Sequence, residues 1–336
     1  LTVTIYDISK ETGFSPTTVS KALNNYPDVS EKTKKIILEK ANEMGYIPNS
    51  HARILTTKKS WTIGILFDEK LNVGMKHPFF NAVIESFKKN VEARGYDLLF
   101  ISKDIGGDRI TYLDHCKIRG VDGVIIITSD PQNNEIQELI NSDFPCVLID
   151  NECSRASSVH SDDIQGCYLA IEYLYSLGHR RIAHIYGSLD TFAGQARYDE
   201  FLNVIRRFKL EKKDEYLVDG GYFSYEGGYN AMKKLLELKE PPTAVFASGD
   251  FMAIGAINAI KDRGLRVPQD ISVIGYDDLD LCKYITPKLT TIRQNTDLIG
   301  ENAAEILINA IDKKNSRTSV IVPVELVIRD SCESLI

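Results

Sequence analysis

The sequence predicts an α/β protein: a two-lobed body of doubly wound parallel sheets, preceded by a three-helix head and a short linker. Three observations predict it. From Trp61 onward, apolar β-rich runs alternate with amphipathic stretches, the pattern of parallel strands covered by helices on both faces. Residues 4–46 hold three short, well-capped helical segments and no strand pattern. The charge is also unevenly divided. Of 40 basic and 47 acidic side chains, nine and six fall in residues 1–60, a net +3, and the remainder carries −10. A small polyanion-binding head on an acidic body fits this asymmetry, and a globally basic nucleic-acid binder is excluded.

The elements follow in order. Thr4-Ile5-Tyr6-Asp7 is a capping box, with Ile5 and Ile8 recurring at helical spacing. Gly13-Phe14 breaks the helix, and Ser15-Pro16 restarts it with Ser as N-cap and Pro where its missing N–H costs nothing. Val19, Ala22 and Leu23 form the inner face of this second helix. Asn24-Asn25-Tyr26-Pro27 is a loop. Ser30 caps a third helix with Ile36, Ile37, Ala41 and Met44 inward, ended by Gly45. Two helices across a short Gly-containing turn form a helix-turn-helix candidate, and equally a plain helical cap. Residues 48–60 are a basic linker with a helical stretch too short to be stable alone.

In the body, strands are expected at 61–67, 96–101, 121–128, 145–150, 181–186, 243–248 and 271–275. Helices are expected near 79–94, 133–141, 163–177, 194–208, 225–238 and 251–263, several ending at Gly. The segments 289–293 and 319–328 add strands that cross back between lobes. The expected division is a head at 1–47, a hinge helix and linker at 48–60 and a body at 61–336. Lobe one takes about 61–161 and 291–322, and lobe two about 162–290 and 323–336.

Ligands of open α/β sheets bind beyond the carboxyl ends of the strands. Asp68, Asp150, Asp250 and Asp277 each follow a strand, Arg197 lies early in the helix after strand 181–186, and Phe79 and Phe223 lie near helix starts. Carboxylates accept from hydroxyls, a guanidinium donates a planar fork, and an aromatic face covers a sugar ring. The set suits a small polyol; each Asp alone reads as a helix cap. Asp277-Asp278 and Asp162-Asp163 also read as caps, and His179 as a structural cation at a helix end.

Several function classes are excluded. No apolar run approaches a membrane helix, and Leu1 opens into an amphipathic segment unlike a signal peptide, so a cytoplasmic protein without a membrane partner is expected. The six Cys are scattered, fitting free thiols, and neither they nor the six His show metal-ligand spacing. No dinucleotide fingerprint, P-loop, nucleophile elbow or zinc-protease motif occurs, so no catalytic residue, cofactor or metal is expected and the protein reads as a non-enzyme.

These residues resemble the LacI/GalR family of bacterial transcriptional regulators along essentially the whole chain. The most specific segments are Thr4-Ile5-Tyr6-Asp7-Ile8-Ser9, Thr18-Val19-Ser20-Lys21-Ala22-Leu23-Asn24, Val29-Ser30, Gly45-Tyr46 and Pro48-Asn49. Ala52-Arg53-Ile54-Leu55 looks like the family's hinge helix. Pro78-Phe79-Phe80, Gly120-Val121-Asp122-Gly123, Leu177-Gly178-His179-Arg180-Arg181, Ile274-Gly275-Tyr276-Asp277-Asp278 and Leu289-Thr290-Thr291-Ile292 continue the match.

The resemblance implies a DNA-binding repressor of a carbohydrate-utilisation operon, a homodimer on a near-palindromic operator, controlled by a small sugar between the lobes. No heptad tail follows the last strand, which favours a dimer. The second helix would enter the major groove with Pro16, Thr17 and Lys21 at base-reading positions; Thr18, Ser20, Asn24 and Tyr46 would contact phosphates. Asn49, Ala52 and Arg53 complete the DNA set, and Leu55 would wedge into the minor groove beside its copy from the second subunit. For the effector the match selects Phe79, Asp150, Arg197, Phe223, Asp250, Asp277 and Gln294, with Arg197 and Asp277 foremost. Purine-binding members carry a second Arg six residues before the one matching Arg197; here it is Thr191, which speaks for a sugar. Three rivals remain: a catabolite-control regulator governed by a phosphorylated phosphocarrier protein, a sugar-binding protein without DNA function, and an α/β enzyme.

Overall fold

The computed structural model describes residues 3–47, 59–68, 74–128, 133–312 and 317–335. It divides into two units, Leu1–Trp61 and Thr62–Ile336.

In the first unit, α1 (Ile5–Thr12), α2 (Pro16–Leu23) and α3 (Glu31–Glu43) form where the caps predict. The Thr4–Asp7 capping box closes in both directions. Ser15 and Ser30 each accept a backbone N–H three residues on. Ile8, Val19, Ala22, Val29, Ile37 and Ala41 make the core, with Leu23, Met44 and Tyr46 against it. Ile36 departs from the expected inner face and is 41% exposed. The inward stripe of α3 runs Lys34–Ile37–Ala41, and the Lys34 stem is buried while its ammonium reaches Glu31. Ile36 lies about 100° around the helix from Ile37. The hinge residues 48–58 lie outside the described residues.

The second unit holds two six-stranded sheets. Its strands are β1 (Thr62–Asp68), β2 (Asp97–Ile101), a small hairpin of β3 (Asp104–Ile105) and β4 (Asp108–Arg109), β5 (Gly123–Thr128), β6 (Cys146–Ile149) and β7 (Ser157–Ser161). They continue with β8 (Ile182–Tyr186), β9 (Leu217–Asp219), β10 (Ala244–Ala247), β11 (Ser272–Asp277), β12 (Thr290–Gln294), β13 (Ser319–Val322) and β14 (Val324–Val327). The first sheet runs β13-β7-β6-β5-β1-β2, parallel throughout. The second runs β14-β12-β11-β10-β8-β9 and is parallel except for β14, which lies antiparallel to β12.

Helices cover both faces of both sheets. In lobe one α5 (Tyr112–Arg119) and α6 (Asn134–Asn141) bury Cys116, Ile136 and Leu139 against Leu66, Val124 and Ile126. The helices α4 (Pro78–Glu92) and α11 (Thr296–Ile311) pack together on the other face. In lobe two alternate strand residues split between faces. Ile182, Phe246 and Ile274 meet α7 (Asp163–Ser176) and α8 (Phe192–Arg207). Ala183, Val245 and Val273 meet α9 (Tyr225–Leu236) and α10 (Asp250–Asp262).

The chain passes between lobes three times: after Ser161, after Gln294 and at Pro323. Residues 291–294 therefore belong to lobe two, not lobe one, because Thr290–Arg293 pair with β11 and the chain turns only at Asn295, the N-cap of α11. The helices α5 and α11 and the strand β7 lie outside the sequence expectation. Ser-Ser-Val-His-Ser has no apolar run, yet all five residues of β7 are buried. All six cysteines are free thiols. His179 is structural, as expected, but as a buried ring bonded to Thr243 and Ser272 and not as a cation, since burial holds its pKa below the usual range. Among the described residues no helix is long and apolar enough to cross a membrane.

Candidate functional site

Arg197 is the centre of charge in the body. It lies on the second turn of α8, 3% exposed. Its Nε donates to Asp163 Oδ1 at 2.7 Å and its Nη1 to the Ser248 carbonyl at 2.6 Å. Its planar group lies 3.6 Å from the Tyr276 ring centre and 5.9 Å from that of Phe223. Burial works against its charge, but Asp163, Tyr276, Asp277 and Asp150 outweigh that and raise its pKa. Sequence reasoning missed Asp163, which it took for a cap. Only Asp162 caps, accepting from the Gln165 N–H, and Asp163 is the counter-ion of a residue 34 positions later.

Phe223 holds a left-handed backbone (φ 53°) in the turn before α9. Its ring covers Gly187, where a Cβ would stand 2.3 Å from ring carbons, so any side chain at 187 would displace it. Asp277 flanks the same turn across Gly249. Its Oδ1 accepts from Gln294 Nε2 at 2.6 Å, and Gln294 Oε1 accepts from Ser161 Oγ at 2.5 Å. Gln294 thus ties the first two crossing strands to the end of β11. Phe79, Asp277 and Gln294 line a cleft of about 980 Å³ that also includes Phe251, Leu279 and Asn295. Lobe one contributes the start of α4, where His77 packs edge-on against Phe251 of lobe two, ring centres 6.0 Å apart. Asp150 ends β6 in a left-handed conformation (φ 54°) and is half-buried.

Two expected residues serve differently from the rest. Asp250 is fully buried: Oδ1 takes the Thr291 hydroxyl at 2.5 Å and Oδ2 the Leu279 N–H at 2.8 Å. It anchors the 278–281 loop from behind and has no oxygen left over. Asp278 is no cap either, since it pairs with Arg293 and Arg329. Among the described residues no group of His, Cys, Asp or Glu is arranged to hold a metal.

Burial decides the charge states. It pushes Asp150 up to about 6, aided by Asp163 and opposed by Arg197. It pushes Asp250 up to about 7 against the hydrogen bonds from Thr291, Cys282 and Leu279. Asp277 is raised well above the usual range by burial and by Asp250. Each group has a folded pKa above its unfolded one, so its contribution is full below about pH 4 and is lost as pH rises through the folded value. His77 and His184, lowered by burial to about 4 and about 3, act oppositely, but only below their unfolded value of about 6.5. Above about pH 6.5 only the carboxylates act, so stability should fall between about pH 6.5 and 7, and Asp250→Asn should flatten that fall. Urea midpoints at four pH values check it; a midpoint rising across the window would refute the assignment.

In the head, α2 turns Thr17 and Lys21 outward, opposite Val19 and Ala22. Lys21 Nζ reaches Asp28 Oδ2 at 2.5 Å. Thr18 Oγ1 bonds Ser15 Oγ at 2.9 Å, and Asn24 Nδ2 donates to the Ser20 carbonyl at 2.9 Å. Tyr46 packs on the head core with part of its surface free, and Pro16 occupies the first helical position. Asn49, Ala52, Arg53 and Leu55 lie outside the described residues.

Comparison with known proteins bears on both units. Residues 4–49 match the model of the bacterial regulatory proteins, lacI family, and residues 171–332 match the periplasmic binding protein-like domain. The chain is 38% identical over 337 residues to the probable HTH-type transcriptional repressor ExuR of Bacillus subtilis (strain 168), covering 99% of both proteins. It is 36% identical over 323 residues to the HTH-type transcriptional repressor PurR of Serratia proteamaculans (strain 568), covering 95% of this chain and 93% of that one. A Lac repressor dimer bound to operator and the anti-inducer ONPF superposes with a TM-score of 0.85 at 27% identity, over 99% of this chain and 100% of that one. A complex of the transcriptional regulator CelR with cellobiose gives 0.72 at 26%, over 98% and 99%.

Proposed function

The chain belongs to the lacI family of bacterial regulatory proteins, and from that premise we propose a transcriptional repressor of carbohydrate utilisation. In this reading it binds a near-palindromic operator as a homodimer and is switched by a small sugar between its lobes. The observation that carries the sugar is the Arg197 group: a guanidinium 3.6 Å from the Tyr276 ring centre and 5.9 Å from that of Phe223, with Asp150 and Asp277 close enough to act on its charge and Gln294 bonded to Asp277. Acceptors and a planar donor fork suit vicinal hydroxyls, and the Phe223 face suits a ring. The solved relative in complex with cellobiose supports the class of ligand. Thr191 supports it too: its hydroxyl caps α8 and donates to Ser188, and it supplies no second cation. The head reads DNA through Thr17 and Lys21, while Leu55 of the hinge pairs with its copy in the minor groove. Effector binding biases lobe closure and, through it, hinge ordering, by a coupling of about 1–3 kcal/mol.

A thermal-shift panel of pentoses, hexoses, disaccharides, sugar phosphates and nucleobases tests the effector class. A ligand at 100 times its Kd adds about 2.7 kcal/mol to stability. A sugar should protect the wild type and fail to protect Asp277→Asn, whose Oδ1 still accepts from Gln294. Protection by nucleobases alone, or by no sugar, sinks this reading.

A further inference from the structure

Phe251 stands on the first turn of α10, directly after Asp250, whose carboxylate is pinned by the Thr291 hydroxyl and the Leu279 N–H. That anchor fixes where the helix begins and so where the ring stands. The ring is half-buried: it packs on the lobe-two core and also lines the cleft of about 980 Å³. Among the described residues it is the only aromatic of lobe two in that lining, as Phe79 is the only one of lobe one. A further contact joins it to lobe one. The His77 ring meets Phe251 edge-on, planes at 89° and centres 6.0 Å apart. His77 makes no side-chain cap bond to α4, and its Nδ1 is buried with no hydrogen-bond partner among the described residues. Rings hold it instead: Phe80 lies 5.7 Å away and packs in turn on Phe79 at 5.1 Å and on Phe67 of β1 at 5.6 Å.

A row of rings therefore runs from β1 through Phe80 and His77 to Phe251, passing from one lobe to the other beside the cleft. Packed rings compress little, so this row fixes the spacing of the lobes where Phe251 meets the cavity. The same lining supplies two different surfaces. Phe79, Ala82, Phe251 and Leu279 are apolar, while Asp277 and Gln294 carry acceptors and donors. A sugar ring has both kinds of surface, a C–H face that an aromatic covers and a rim of hydroxyls. Resting on the sugar reading above, we propose that Phe251 is a specificity-determining residue, which covers part of the effector's apolar surface from lobe two and, braced by His77, sets how bulky a ligand the cleft accepts. Asp277 and Gln294 serve the hydroxyls, and Phe79 supplies the lobe-one wall.

The test uses the full chain, the best sugar of the panel above and the set of its mono-benzyl ethers. Calorimetric Kd and melting temperature are read for wild type, Phe251→Ala, Phe251→Leu and His77→Ala. Phe251→Ala should weaken the best sugar by about tenfold and bind at least one benzyl ether more tightly than wild type does, the added ring filling the vacated space. Phe251→Leu, which keeps bulk but no ring face, should fall between the two. His77→Ala should weaken the sugar in the same direction, and its loss combined with that of Phe251→Ala should fall short of the sum, because the two rings touch. A Kd for the best sugar that stays within about twofold in Phe251→Ala overturns the assignment. So does an equal loss for the sugar and every benzyl ether together with a lower ligand-free melting temperature, which marks a ring that only supports the core. Failure of the underlying reading has a different signature: no sugar protects wild type, and the assignment falls with it.

Discussion

Arg197→Ala should cost about 3–5 kcal/mol of stability, the range for removing one partner of a buried pair. The loss exceeds the value of the contact because of what stays behind. Asp163 is 3% exposed and is left with no donor on Oδ1, while the Ser248 carbonyl loses its donor and the Tyr276 ring its cover. Urea denaturation should show a lower midpoint at unchanged slope, and adding Asp163→Asn should recover part of the loss by removing the stranded charge. In the same variant, operator affinity should stop responding to the effector. A stability loss under about 1 kcal/mol would mean that the pair is solvated in solution and that its buried description is wrong.

Gly255→Ala should damage lobe two although it adds a single methyl group. In an open helix, Gly to Ala gains about 1 kcal/mol from propensity. Here the sign reverses. A Cβ on Gly255 would stand 2.1 Å from the Tyr225 carbonyl oxygen and 2.7 Å from the Tyr229 nitrogen. Both are backbone atoms of α9, so no rotamer relieves the clash and α9 itself must move. Overpacking of this kind costs about 1–3 kcal/mol. Because α9 begins two residues after Phe223, the shift should also lift that ring from Arg197 and weaken the effector. Thermal melts with and without ligand measure both effects. A raised melting temperature would show that α9 and α10 slide apart freely.

The sequence and the structure agree most closely where the signal is local. The capping box at Thr4, Ser-Pro at 15–16 and Ser30 act within four residues, and the three head helices start where they dictate. The apolar strands β1, β5, β6, β8, β10 and β11 follow the same logic, since a strand buried on both faces must be apolar along its length. The resemblance selected Asp277 and Gln294, which line the cleft, and Arg197, which is buried against Asp163 and Tyr276. The misses in the body share one cause. β7 is polar in composition but becomes buried because β13, from the far end of the chain, pairs along it. Asp163 and Asp278 look like the caps that single Asp residues usually are until distant arginines claim them. Ile36 was misjudged by one position around a helix whose buried stripe includes a lysine.

By itself the sequence determined the class of fold, the helical head, the alternation of strands and helices, the family and the residues most worth testing. Those follow from periodicity, capping and ordered motifs, all of which act over a few residues. The tertiary structure decided which residues meet across the crossings, that residues 291–294 belong to lobe two, and that Asp163 balances Arg197. It also decided charge: Asp150, Asp250 and Asp277 shift upward and His77 and His184 downward. Removing a group from water costs several kcal/mol unless a partner meets it there. That partner is set by the path of the whole chain, not by the residue's neighbours in sequence.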